Sequence, residues 1–371
     1  MKSVRFLKQN IVVIIAWILA LVSVFFIPID KEYLSYFDVK TLLCLFSIML
    51  VLGGYKNINI FSILAKALIK KLKNARYLVM YMVLLTFFSS IFIANDMALL
   101  TFLPLTILVF KQCGKEEYIA VTVIMQNIAA NLGGMIMPFG NPQSIYLYSF
   151  YSIALADFVL TMLLPFAVSL VLILLFSLTI KKQPVELVID VQYEFDTKKT
   201  VVYALLFVVS ILSVFNIIPY LAAFGIVIIV MFFFDRKSFK AVDYGLLLTF
   251  VAFFIFASNM SRIPAIAKLV TTLMEKSALL TGVLFCQFFS NVPSAIFLSQ
   301  FTTNYRELLL AVNIGGTGTI VASLASLISF RIYGAMYPKL SLAYLGKFSL
   351  LNFGFLIILI LVSFASLYFI F

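Results

Sequence analysis

The amino-acid sequence predicts an all-α protein that crosses a membrane many times and consists of two inverted repeats. Of its 371 residues, 64% are hydrophobic and 11% are charged, whereas soluble domains average about 45–50% and about 25%. Apolar segments long enough to span a bilayer recur along the whole chain, and two blocks of the chain match each other motif by motif. This composition excludes water-soluble enzymes and leaves no segment polar enough for a separate soluble domain.

Histidine is absent from the sequence, and the three cysteines are scattered. The commonest general base and metal ligand is therefore missing, and the cysteines form neither a zinc pattern nor a disulfide framework. We expect a protein that is not an enzyme and has no cofactor other than a coupling ion. The net charge of +12 does not require nucleic acid as a partner, because basic residues of membrane proteins are first of all topology signals.

The first predicted crossing covers residues 11–27, which follow three basic residues and lack the small-residue cleavage site of a signal peptide. A second crossing covers residues 38–54. Residues 58–76 then interleave apolar side chains with lysines, a pattern that predicts an amphipathic helix in the membrane interface.

Segment 77–110 predicts a re-entrant hairpin. Its 34 residues correspond to about 50 Å of helix, too long for one crossing of a core of about 30 Å and too short for two. Its centre is polar, at Asn95 and Asp96. Segment 277–305 repeats this design around Ser290 and Asn291, so we predict a second hairpin there.

Each hairpin is followed by a broken helix, at residues 118–150 and 306–333. Pro142 cannot continue a helix, and the residue before it is driven out of the α region, which predicts the first break. The second break has no proline and is predicted from its small and polar residues. The candidate substrate-binding residues in the two breaks are Gly140, Asn141, Pro142, Ser144, Gly316, Thr317, Thr319 and Ser323.

The two halves of the chain match beyond these segments, because the helix start at Asp38 aligns with that at Asp243. Five crossings separate the two starts, and an odd number makes the repeats opposite in orientation. We therefore divide the chain into an N-terminal repeat (1–180), a cytoplasmic linker (181–199) and a C-terminal repeat (200–371). The whole chain then has nine crossings and two hairpins.

The basic residues support this topology. With the N-terminus in the cytoplasm and the C-terminus outside, 21 of the 27 lysines and arginines lie on the cytoplasmic side, as the positive-inside rule requires. The six on the other side are Lys31, Lys40, Arg262, Lys268, Lys276 and Arg306.

Four interruptions of helical backbone at membrane depth predict a central site, since such backbone survives only beside protein or a water-filled cavity. Exposed helix N-termini attract anions, and helix C-termini and carbonyls coordinate cations. Asp96 is the one acidic residue placed deep in an apolar segment, which predicts a Na⁺ ligand or a proton carrier. Asn95, Ser290 and Asn291 join it as candidate ion-binding residues. A helix-capping role for Asn95, Asp96 and Asn291 is the alternative.

Segments 92–100, 131–143 and 290–293 resemble the ion transporter superfamily, which includes arsenite permeases, citrate transporters, sodium/proton antiporters and divalent anion/sodium symporters. The compact length and the paired motifs are similar to the YbiR-type permeases in particular. In the symporter branch, a Ser-Asn-Thr motif at each hairpin tip binds sodium and substrate carboxylate. Ser290 and Asn291 match its first two positions, and Asn95 matches the middle position of the other copy. The residues that depart from the motif are Ala94, Asp96 and Val292. The resemblance also implies an elevator mechanism and a dimeric scaffold.

These observations predict a secondary active transporter of the inner membrane that moves a small carboxylate or oxyanion with Na⁺ or H⁺. Its expected partners are the anion, the bilayer and a second copy of the chain. Cation/proton antiport at Asp96 and arsenite-type export are the alternatives within transport, and any ATPase would be a separate chain because no nucleotide-binding motif is present. A membrane-embedded enzyme or sensor is the alternative outside transport, and the residue patterns of an intramembrane protease are missing.

Overall fold

The computed structural model describes residues 11–61, 63, 72–185 and 196–369. About half of the predicted amphipathic helix at 58–76 (residues 62 and 64–71) and the middle of the predicted linker lie outside these ranges. Within them, the chain forms sixteen α-helices and no β-strand. The all-helical prediction is therefore confirmed. The helices are α1 (Ile11–Phe26), α2 (Val39–Asn57), α3 (Ala75–Ser89), α4 (Asn95–Gln112), α5 (Ile119–Gly133), α6 (Pro142–Phe150), α7 (Leu155–Thr179), α8 (Thr197–Val214), α9 (Tyr220–Phe234), α10 (Tyr244–Ser261), α11 (Pro264–Lys276), α12 (Ala278–Phe289), α13 (Asn291–Leu298), α14 (Tyr305–Ile314), α15 (Leu324–Met336) and α16 (Ser341–Phe369).

Six helical segments of the described chain are long and apolar enough to cross a membrane, or seven if the bent pair α11–α12 is one span. The sequence predicts nine crossings. The numbers differ because α1 and α9 have 16 and 15 residues, fewer than the roughly 20 of a typical span, and because α14 and α15 are separated by a break. Nine crossings remain a prediction.

The surface of the protein carries many large apolar side chains. Phe25, Phe233 and Leu350 are 87%, 78% and 76% exposed. Water-soluble monomers rarely expose contiguous apolar surface on this scale, so these side chains face lipid. The chain is a multi-pass membrane protein.

Both predicted hairpin segments contain two helices that pack against each other. In the first, α3 and α4 are joined by residues 90–94. In the second, α12 and α13 are joined by Ser290 alone, whose φ of 70° lies in the left-handed region that non-glycine residues rarely adopt. The second limb of the second hairpin is short, because α13 has eight residues and ends in a 3₁₀ turn.

The two predicted broken helices are interrupted where the sequence indicates. Between α5 and α6 the chain makes two 3₁₀ turns, Gly134–Ile136 and Pro138–Gly140, and Pro142 is the first residue of α6, where its missing N–H costs nothing. Between α14 and α15, residues 315–323 leave the helical conformation without a proline.

Sequence analysis did not assign α11, an amphipathic helix between α10 and the second hairpin. It carries charged residues among its apolar ones, and its axis is bent by 119° from that of α12. In the first half of the chain, the predicted amphipathic segment 58–76 holds the corresponding place, between α2 and the first hairpin.

The helices pack as two groups. The scaffold group consists of α1, α2, α8, α9 and α10, and the hairpin group consists of α3–α7 and α12–α16. The groups meet mainly where α10 packs on α13 and α2 packs on α6. Aromatic rings fill this interface, as in the stacked pair Phe256 and Phe297 and the pair Phe254 and Tyr146, each with centroids 5.7 Å apart.

The helix starts aligned by the sequence match have the same local structure. Asp38 caps α2 with φ −78° and ψ 84°, and its carboxylate accepts a hydrogen bond from Thr41 N at 2.9 Å. Asp243 caps α10 with φ −81° and ψ 84° and accepts from Leu246 N at 2.9 Å. An N-cap of this kind satisfies a backbone N–H that the helix leaves unpaired.

Ion pairs between distant parts of the chain join residues that the predicted topology puts on the same side of the membrane. Arg262, after α10, binds Asp30 and Glu32, after α1, and the hydrogen bond from Arg262 lowers the pKa of the Asp30 carboxyl. Arg306 binds Asp157 at 2.9 Å.

Candidate functional site

A cavity of about 480 Å³ lies where the tips of both hairpins meet both helix breaks. The first residues or caps of four helices of the hairpin group, α4, α6, α13 and α15, line it, together with part of α1 and the start of α10, including its cap Asp243. Six of the twelve predicted site residues are among the lining residues, namely Asn95, Asp96, Pro142, Ser290, Asn291 and Ser323. Four helix N-termini of the hairpin group therefore converge on one cavity, and each brings the partial positive charge of its helix dipole.

The two hairpin tips are built alike. Asn95 Oδ1 accepts a hydrogen bond from the next backbone amide, Asp96 N, at 2.9 Å, and Asn291 Oδ1 accepts from Val292 N at 2.9 Å. Both asparagines are buried and start the second limb of their hairpin. Since the same bond occurs in both tips, the match of Asn95 with Asn291 extends from sequence to local geometry.

Asp96 is the second residue of α4, in the first turn, where the helix N-terminus stabilises a negative charge. It does not occupy the N-cap position, which belongs to Ala94. Its Oδ1 atom is buried, and no described residue hydrogen-bonds to it. A buried carboxylate oxygen without a donor is costly unless a cation or a proton occupies it.

Asn131, near the end of α5, joins the first hairpin to the second break. Its Oδ1 atom accepts hydrogen bonds from Asn95 Nδ2 at 3.0 Å and from Ser323 Oγ at 2.8 Å. Asn131 and Ser323 are 192 residues apart in the chain. The first broken helix therefore positions the start of α15.

Asn313, near the end of α14, has the reciprocal role. Its Oδ1 atom accepts from Asn141 Nδ2 at 3.2 Å, Gln143 Nε2 at 3.3 Å and Ser144 Oγ at 3.1 Å. The second broken helix therefore positions the start of α6. Asn131 and Asn313 hold the same place in the two matched segments. Each is the first residue of an Asn-x-Gly-Gly sequence that leads into a break.

Gln287, in the first limb of the second hairpin, supplies the hydrogen bonds that shape the second break. Its Nε2 donates to Gly315 O at 3.0 Å and Thr317 O at 3.3 Å, and its Oε1 accepts from Thr319 N at 2.8 Å. Gly318 adopts φ +117° beside this side chain. One glutamine thus satisfies three backbone groups of a break that has no proline.

Replacing Gln287 with leucine is expected to destabilise the protein by at least about 2 kcal/mol, because each buried polar group left without a partner costs about 1–3 kcal/mol. Leucine is similar in size and suits an apolar surrounding, so the loss of stability measures the contribution of the hydrogen bonds. Thermal unfolding in detergent measures it. Gln112→Leu is the matched control, since Gln112 is exposed at the end of α4. Equal melting temperatures for the two variants would contradict this account of the second break.

The other six predicted site residues do not line the cavity but stabilise the two breaks beside it. Asn141 and Ser144 bind Asn313, and Thr319 binds Gln287. Thr317 Oγ1 donates to Ile314 O within its own turn. The glycines allow close packing: Gly140 lies against Gly134, and a Cβ on Gly316 would meet Asn291 Nδ2 at 3.1 Å.

Sequence reasoning missed five residues that shape or line the cavity. Asn131 and Asn313 carried a signal, because they occupy the same position in both repeats. Gln143 and Asp243 line the cavity, and Gln143 directly follows the break proline. Gln287 gave no signal, because its partners are 28 to 32 residues away.

The charged residues of the cavity lining are Asp96, Asp243 and Arg331 among the described residues. The breaks themselves contain no lysine or arginine. A ligand at the hairpin tips therefore meets helix termini, amides and hydroxyls.

Comparison with known proteins identifies the family to which the chain belongs. A family model described as Citrate transporter matches residues 6–305, which include both hairpins and the first break. Inner membrane protein YbiR of Escherichia coli is 31% identical over 316 residues, covering 83% of this chain and 84% of that protein. An uncharacterized transporter of Methanocaldococcus jannaschii is 29% identical over 294 residues, covering 79% and 80%. The chain belongs to the citrate transporter family.

Proposed function

We propose that the protein is a secondary active transporter that moves a small anion across the inner membrane, coupled to Na⁺ or H⁺. The observation that carries this proposal is the convergence of four helix N-termini on one cavity. Helix N-termini bind carboxylates and oxyanions through their free N–H groups and the helix dipole, and no basic side chain of the breaks is required. A membrane transporter is also what the family and the names of the relatives indicate.

The size of the cavity favours a small substrate. Its volume of about 480 Å³ lies in the range of small-molecule sites, about 300–1,000 Å³. Because the family description names citrate, carboxylates are the first anions to test, and inorganic oxyanions are the second. The residues placed to contact the anion lie at the starts of the four helices and are Asn95, Pro142, Asn291 and Ser323.

The coupling cation is assigned to the hairpin tips. Asp96 provides a carboxylate oxygen without a hydrogen-bond donor, and Asn95, Ser290 and Asn291 provide further oxygens around the same cavity. Sodium prefers oxygen ligands, and a cation at this place offsets the charge of both Asp96 and the anion. Binding of one ion then favours binding of the other.

The membrane arrangement is proposed as nine crossings in two inverted repeats, with the N-terminus cytoplasmic and the C-terminus outside. The matching caps at Asp38 and Asp243, the matching tips and the reciprocal hydrogen bonds of Asn131 and Asn313 support the repeats. The name of the Escherichia coli relative supports the inner membrane.

An elevator mechanism is proposed for the transport cycle. The packing of the helices as two groups supports it, because the cavity residues of both hairpins and both breaks belong to the hairpin group. Aromatic rings at the interface present few directional bonds that would have to break as the hairpin group slides. The scaffold group is proposed to form a homodimer.

Cation/proton antiport is the second candidate function. It is favoured by one observation, the unpartnered Asp96 Oδ1, since a carboxylate in a cavity can exchange Na⁺ for H⁺ without an anionic substrate. Arsenite-type export is a further possibility within the superfamily.

The thermal stability of the purified protein tests these functions. A ligand that binds the folded state at 100 times its dissociation constant stabilises it by about 2.7 kcal/mol. We expect Na⁺ or a lower pH to raise the melting temperature, and one anion among citrate, dicarboxylates, phosphate, sulfate and arsenite to raise it further. Potassium chloride is the control for ionic strength.

The outcomes separate the candidates. A cation-dependent shift enlarged by one anion supports coupled anion transport and names the substrate class. A shift with Na⁺ or pH alone, indifferent to every anion, supports antiport. A melting temperature that responds to no cation, proton or anion contradicts both functions.

A further inference from the structure

The cavity contains a second carboxylate, at its rim. Asp243 is exposed and caps α10, and it lines the same cavity as Asp96. Because both carboxylates line one cavity, the negative charge of Asp243 adds to that of Asp96 there. In the proposed topology Asp243 lies on the cytoplasmic side, so an ion that reaches Asp96 from the cytoplasm passes it.

Buried hydrogen-bond acceptors in the cavity indicate which kind of ion passes Asp243. Gln143 is 1% exposed and lines the cavity, and no described residue donates a hydrogen bond to its Oε1 atom. Asp96 Oδ1 has the same property. Oxygen acceptors without donors, below a negatively charged rim, attract a cation.

We propose that Asp243 forms a recruitment site for Na⁺ at the mouth of the cavity and raises the rate and the affinity with which Na⁺ reaches Asp96. This inference rests on the proposed cation coupling. Arg331 lies in the same lining and opposes the effect, but with Asp96 and Asp243 the three charged side chains sum to one negative charge. A negative net charge in a cleft raises the local concentration of cations.

The repeat supplies a matched control. Asp38 caps α2 with the same geometry as Asp243 but lines a different cavity, of about 340 Å³, with Tyr36 and Arg262. Asparagine is as good an N-cap residue as aspartate. The substitutions Asp243→Asn and Asp38→Asn therefore both keep a cap and remove one charge. Only Asp243→Asn changes the charge of the cavity that contains Asp96.

The test is a Na⁺ titration of thermal stability, with choline chloride holding the ionic strength constant. We expect Asp243→Asn to weaken the apparent affinity for Na⁺ on the order of 4- to 16-fold, because an exposed carboxylate at the rim attracts the ion through a partly solvated medium. Asp38→Asn is expected to keep the wild-type affinity. Raising choline chloride to about 1 M is expected to shrink the difference, because it shortens the screening length to about 3 Å.

Asp243→Glu separates charge from capping, because glutamate keeps the charge and is a weaker cap. We expect it to bind Na⁺ nearly as wild type while melting at a lower temperature. A loss of Na⁺ affinity equal to that of Asp243→Asn would overturn the inference in favour of a structural role.

The remaining outcomes distinguish this inference from the proposed function. Wild-type affinity for Na⁺ in Asp243→Asn overturns the recruitment site and leaves cation coupling intact. If the wild-type protein responds to pH but not to Na⁺, the recruitment site is overturned while H⁺ coupling stands. If it responds to neither, both proposals fail.

Discussion

Replacing Asp96 with asparagine is expected to abolish cation-coupled transport. Asparagine has the same size and keeps the local backbone, but it removes the one charged group at the hairpin tips, which is the proposed ligand of the cation. The loss of one charged ligand costs about 3 kcal/mol, or roughly 100-fold in affinity. Uptake of the identified anion into proteoliposomes, measured against Na⁺ concentration and pH, gives the result.

Glu275→Gln is the control for Asp96→Asn, because it removes one carboxylate from the exposed surface of α11, away from the cavity lining. It is expected to transport as wild type. Transport by Asp96→Asn with unchanged rate and unchanged cation dependence would show that the coupling ion binds elsewhere. A folded variant with wild-type stability ensures that a loss of transport reflects the charge.

Replacing Gly140 with alanine is expected to disrupt the first break. A Cβ atom at this position would lie far inside 3.0 Å of the carbonyl oxygen of Gly134, a separation that real Cβ atoms essentially never show. Backbone on both sides of the break must then move, and overpacking of this kind costs about 1–3 kcal/mol, occasionally more. We expect a lower melting temperature and weaker binding of the anion, because the start of α6 shifts.

Gly354→Ala is the matched control, because nothing lies within 4 Å of a Cβ at that position in α16. Within a helix, alanine is favoured over glycine by about 1 kcal/mol, so this variant is expected to be as stable as wild type or slightly more so. If Gly140→Ala were equally stable, the close approach of Gly140 to Gly134 would not exist in the protein.

The hairpins and breaks were predictable because the signal for each lies in a short stretch of sequence. Polar residues at the centre of an apolar segment of 34 residues favour a turn there. Pro142 cannot continue the preceding helix, and it is the first residue of the next one. The bounds agree within a few residues, as with the hairpin predicted at 77–110 and observed between Ala75 and Gln112.

The composition of the site was only partly predictable. Half of the predicted residues line the cavity. Of the others, Asn141, Ser144 and Thr319 bind residues of other helices, Thr317 bonds within its own turn, and the two glycines allow close packing. Thr319 shows why: its position in the break suggests ligand contact, but its hydroxyl and amide both bind Gln287. Whether a polar side chain in a break faces a ligand or a neighbouring helix depends on which helix arrives beside it.

The sequence by itself determined the membrane class, the polar hairpin tips and the two interruptions of the helices, because hydropathy, proline and isolated polar residues act over one or two helical turns. It also singled out Asp96, whose role stays a prediction. The tertiary structure alone decided that Asn131 reaches Ser323 across 192 residues, that Asn313 holds the start of α6, and that Asp243 shares a cavity with Asp96. The physical reason is that a buried amide must find partners, and those of Asn131 and Asn313 include side chains from the other half of the chain. Only the packing of the two halves brings these helix N-termini together around one cavity.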